Sequence, residues 1–127
     1  MNYENISERL RELKIEDFIW VVYIGIIFLS WFSNSLERNF FINNDLESKE
    51  KYRKLISFIF IVLIIVYIYF LKESIKDLMS LKPDDSDKRK VLVFLSFLAS
   101  LFIAISGVIF LFISFVDEDL DVELAFN

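Results

Sequence analysis

The chain has 127 residues, room for one domain, and 56% of them are hydrophobic, with 15 Phe but only two Gly and one Pro. With a mean hydropathy of +0.51 this lies outside the range of ordinary soluble domains and favours long unbroken helices. There is no Cys and no His, and the net charge is −5, which exclude thiol chemistry, disulfides, the common zinc sites and an electrostatic footprint for nucleic acid.

Residues 3–17 are polar, with Tyr3, Ile6, Leu10 and Leu13 at three- and four-residue steps. The spacing predicts an N-terminal amphipathic helix over 3–17 lying among lipid headgroups, with Asn5 and Glu8 as cap and partner. Three bases against five acids make a poor signal-peptide leader, so no cleavage is expected at Ser33-Asn34-Ser35. The first span is predicted at 18–36, nineteen residues or about 28 Å of helix, with Trp20 and Tyr23 at one interface and Trp31 near the other.

Residues 37–54 read as a connection in which Phe40, Phe41 and Ile42 dip into the interface. Asn44 with Glu47 signals a new helix, and nothing breaks the pattern until Pro83. A long helix is therefore predicted over 45–82, of which only 55–71 is lipid-like. Its continuation keeps Leu71, Ile75, Leu78 and Met79 on one side and Lys72, Glu73, Lys76 and Asp77 on the other, an amphipathic extension suited to the membrane surface. In the short connection that follows, Asp84 or Ser86 can cap the next helix. Lys88, Arg89 and Lys90 then stand at the membrane border as candidate contacts for lipid headgroups.

The third helix is predicted over 87–116, and residues 91–116 carry no charge in 26 positions. Ser96, Ser100, Ala104, Gly107 and Ser114 form a small-residue series that permits close helix approach. This seam is expected to receive the other spans of the same chain, with dimerisation or partner docking as the alternative. Residues 117–127 form an acidic tail. Leu120, Val122, Leu124 and Phe126 alternate there with acids, a pattern able to add as a strand to a partner's sheet. Asp117, Asp119 and Asp121 imitate the start of a calcium loop, but Val122 stands where the turn glycine belongs, so no metal site is expected.

None of the three spans holds Asp, Glu, Lys or Arg, which argues against a proton-coupled path or a charged pore ring. Serines without a base offer no nucleophile, and no cofactor motif is present, so a non-catalytic protein without a cofactor is expected. Counting bases only, an N-terminus inside places nine on the cytoplasmic side and five outside. The expected architecture is an all-α membrane protein with three transmembrane helices and an N-terminal amphipathic helix, N-terminus in and C-terminus out. The Ile-, Lys-, Asn- and Phe-rich composition suits an AT-rich bacterial genome, and a bacterial plasma membrane is the expected location. The expected role is an accessory, regulatory or assembly subunit docking to another membrane protein; the alternative is a self-oligomerising pore or holin-like protein. Lipid and a membrane-protein partner, or a second copy, are the expected contacts, and nucleic acid is not among them.

Overall fold

The computed structural model describes residues 3–116, with side chains from residue 5 onward. These residues form three α-helices: α1 (Tyr3–Asn43), α2 (Leu46–Met79) and α3 (Asp87–Val116). All three are long and apolar enough to cross a membrane. At ~1.5 Å per residue their 41, 34 and 30 residues reach about 61, 51 and 45 Å, against roughly 30 Å of bilayer hydrocarbon. Each is therefore longer than a membrane crossing would require. The tail, with Leu120, Val122, Leu124, Phe126 and the Asp117–Asp119–Asp121 series, lies outside the described residues.

The chain divides into two compact units, Met1–Tyr52 and Arg53–Asn127, with the boundary inside α2. In the first unit, α1 departs from the sequence reading in three ways. It begins at Tyr3, so Asn5 lies inside the helix and is not its cap. It runs without interruption from the polar segment into the apolar one, so 3–17 and 18–36 are parts of one helix. It also continues through Phe40, Phe41 and Ile42, which are helical and do not form a loop. The physical reason is visible at Ser33, whose hydroxyl donates to the Ser30 carbonyl at 2.7 Å. Its hydrogen bond is satisfied inside the helix, and no Gly or Pro follows to stop propagation. Ile6, Leu10 and Leu13 are exposed, and Arg9 pairs with Glu12 at 3.2 Å and Glu16 at 3.6 Å on the same segment.

The connection between α1 and α2 is far shorter than 37–54: only Asn44 and Asp45 are non-helical. Asn44 adopts φ 50°, the left-handed conformation that ends helices and that Asn tolerates better than other non-glycine residues. Asp45, and not Asn44, caps α2: its carboxylate accepts from the Glu47 amide at 3.1 Å and from the Ser48 hydroxyl at 3.0 Å. The Asn39 side-chain amide donates to Asp45 at 3.1 Å and to Ser48 at 2.7 Å, and Asn43 donates to Asn39. Lys49 lies over the Phe40 ring, 5.3 Å from its centre. Two-residue turns are possible because this polar cluster satisfies the helix ends that the turn leaves open.

In the second unit, α2 ends at Met79 and not at Lys82. The Ser80 amide is shared between the Lys76 and Asp77 carbonyls, and the Ser80 hydroxyl donates to Asp77. The last turn tightens there, because the residue before Pro83 is biased away from helix. Ser86 is the cap of α3, accepting from the Arg89 amide at 3.1 Å. In the loop, Asp85 accepts from the Lys82 amide at 2.7 Å and faces Arg89 at 3.7 Å.

Candidate functional site

The best-defined arrangement of side chains in the second unit is the seam between α2 and α3. On α2, Ser57, Phe60, Ile64, Tyr67, Leu71 and Ser74 recur at alternating three- and four-residue steps. On α3, Ser100, Ala104, Gly107, Leu111 and Ser114 do the same. That spacing keeps one line of each helix facing its neighbour, as in a coiled coil. The Ser57 and Ser114 hydroxyls lie 3.4 Å apart, and those of Ser74 and Ser100 lie 2.8 Å apart. These two pairs fix α3 as antiparallel to α2 and set the register between them.

Each hydroxyl has one proton, which decides the direction of both contacts. Ser74 donates to the Phe70 carbonyl at 3.0 Å, so Ser100 is the donor to Ser74. Ser114 donates to the Leu111 carbonyl at 2.7 Å, so Ser57 is the donor to Ser114, over a longer and weaker contact. Between the two pairs the seam is apolar. Phe60 and Phe110 stack with their rings 8° from parallel and 5.6 Å apart. At Gly107 side chains of α2 press against α3: a Cβ there would lie 3.0 Å from Cδ2 of Tyr67 and 3.2 Å from Cγ1 of Ile64.

The sequence-predicted seam residues are placed as follows. Ala104, Gly107 and Ser114 are buried, and Ser100 is half-buried on the same face. Ser96, one turn nearer the loop than Ser100, is exposed. Of the basic triplet, Lys88 is exposed, Arg89 faces Asp85, and the Lys90 amine donates to the Pro83 carbonyl at 3.0 Å. Two of the three cations thus also stiffen the loop. Ser57, Ser74 and Tyr67 complete the seam from the α2 side, and sequence reasoning did not single them out. The available signal was the alternating step that links Ser57 to Ser74, hidden because residues 58–71 between them are all apolar or aromatic.

Beside Gly107 a cavity of about 270 Å³ opens, with Phe60, Tyr67, Ser106 and Phe110 in its lining. Its lining carries no carboxylate, amine or imidazole, and its volume lies just under the roughly 300–1,000 Å³ of typical small-molecule sites. Among the described residues no group of three acids could hold a metal ion. The two serine pairs and the packing between them hold the two helices in register. Comparison with known protein families, curated proteins and solved structures finds no match to this chain.

Proposed function

We propose that the chain is a small non-catalytic integral membrane protein that serves as an accessory, regulatory or assembly subunit of another membrane protein. The observation that carries this reading is where the hydroxyls of the second unit go. Ser57, Ser74, Ser100 and Ser114 spend their hydrogen bonds between α2 and α3 or on helix carbonyls. What these two helices turn outward is mostly large apolar side chains, Ile61, Ile65, Phe102, Ile109 and Phe112 among them. An apolar surface this extensive on a soluble monomer marks an interaction site or a membrane contact. A water-filled pore needs polar groups turned toward its path, and these four hydroxyls are tied up, which supports the subunit reading over a self-oligomerising or holin-like pore.

In this reading the protein sits in a bacterial plasma membrane with its N-terminus cytoplasmic and its C-terminus outside. The polar part of α1 contacts the headgroup layer through Ile6, Leu10 and Leu13, and Lys88, Arg89 and Lys90 contact anionic headgroups. The tail residues Leu120, Val122, Leu124 and Phe126 are the candidate partner-binding segment. Crosslinking in native membranes followed by mass measurement tests the reading. A subunit gives one band of defined mass containing a second protein, whereas a ladder of multiples of 15.1 kDa makes it a self-assembling protein.

A further inference from the structure

We propose that the cavity beside Gly107 is a binding site for a neutral aromatic compound carrying a carbonyl oxygen, a ketone or quinone ring, with Tyr67 and Ser106 as its hydrogen-bond donors; the inference rests on the membrane reading above. Completing the seam leaves two hydroxyls over. Ser57, Ser74, Ser100 and Ser114 are all spent between the helices or on helix carbonyls. Tyr67 and Ser106 line the cavity between α2 and α3, and neither has a hydrogen-bond partner among the described residues.

The cavity, about 270 Å³, runs from Phe60 to Tyr67 on one helix and from Ile103 to Phe110 on the other, about 10 Å along each. Both segments lie well inside the uncharged stretches 55–71 and 91–116. In the membrane reading no bulk water stands at that depth to satisfy a hydroxyl, and a mostly apolar space of this kind stays dry. A ligand that brings its own acceptor therefore gains a hydrogen bond without first stripping water from the donor.

The walls narrow the class of ligand. Without a carboxylate, amine or imidazole among them, a charged ligand would be left unpaired. Phe60 and Phe110 stack 5.6 Å apart and Tyr67 adds a third ring, and aromatic rings attract one another beyond what buried area alone gives. An apolar cavity of roughly 150 Å³ already takes benzene, so this one has room for a ring with a short substituent. A carbonyl oxygen has two lone pairs and no proton, which lets it accept from either hydroxyl or both. A phospholipid acyl chain fills such a space but offers no acceptor at this depth. Phe60 and Leu63 are buried whereas Ile103 and Ser106 are exposed, so the cavity has a buried end and an open one, with Ser106 at the entrance.

The test uses the full chain in phosphatidylcholine nanodiscs and a photoactivatable probe, acetophenone bearing a trifluoromethyl diazirine, with labelled residues mapped by peptide mass spectrometry. The expected result is adducts on Phe60, Ile103 and Phe110 well above those on Phe102 and Phe112, which are exposed but outside the cavity. At equal concentration in the bilayer, acetophenone should compete about tenfold better than α-methylstyrene, in which a methylene replaces the carbonyl oxygen. Tyr67→Phe/Ser106→Ala keeps the ring and removes both hydroxyls, so it should bring the two competitors level. Ser106→Ala alone, at an exposed position, should close part of the gap. Even labelling of Phe102, Phe112 and the cavity residues, equal competition in wild type, or an unchanged preference in both variants overturns this inference alone. The subunit reading is judged separately, by crosslinked mass. Failure of the chain to enter the nanodisc overturns the inference together with the membrane reading.

Discussion

Gly107 is the residue on which the α2–α3 distance depends. An added Cβ meets Tyr67 Cδ2 at 3.0 Å and Ile64 Cγ1 at 3.2 Å, tight contacts on side chains that can yield slightly. Gly107→Ala gains helix propensity worth up to ~1 kcal/mol and loses a similar amount to crowding, so its stability should stay near wild type. Gly107→Leu has no such balance and should destabilise by about 1–3 kcal/mol, measured by denaturation in mixed micelles. Tyr67→Ala in the same chain should return part of that loss, because it removes the ring the leucine strikes. Ser100→Ala should cost only about 0.6 kcal/mol, typical of a helix–helix hydrogen bond in a membrane. Ser74 keeps its bond to Phe70 in that variant, so no buried hydroxyl is orphaned.

At the scale of the elements, the turn between α1 and α2 depends on one carboxylate. The Ser48 hydroxyl beside Asp45 holds its carboxyl below the usual range, partly opposed by burial and aided by the Glu47 and Ser48 amides and by Asn39. The folded form thus binds this proton less readily than the unfolded chain does. Its contribution is fully present above the ordinary Asp range and is lost as pH falls through the depressed value of the folded state. Asp45→Asn keeps a capping side chain but does not titrate there, so its melting temperature should fall less steeply on acidification than that of wild type. An equal slope in both would remove Asp45 as the source. The same turn shows what could be read from sequence. Three apolar helices follow from runs too long for any soluble core, and Pro83 marks the end of α2 to within a few residues. The continuation of α1 was hidden because Ser33-Asn34-Ser35 has the composition of a stop. The helix runs through them with the Ser33 hydroxyl bonded back to Ser30, a choice of side-chain geometry that composition does not encode. A two-residue turn likewise required Asn39 to reach Asp45 and Ser48, six and nine positions away.

For the whole molecule, the open quantity is orientation. The absence of cysteine makes it directly measurable. Glu47→Cys, in the first exposed turn of α2, should react with an impermeant maleimide on intact cells, and Asp84→Cys only after lysis; the reverse pattern would invert the proposed topology. The brevity of the α1–α2 turn has one more consequence, for proteases. Cleavage requires several consecutive residues drawn out in an extended form, and Asn44 with Asp45 cannot supply them while both flanking helices hold. Among the described residues, only 80–86 offers a stretch of non-helical chain long enough to enter a protease cleft. Within residues 3–116, limited digestion of the detergent-solubilised protein should therefore cut first between α2 and α3, leaving α1 and α2 joined as one fragment.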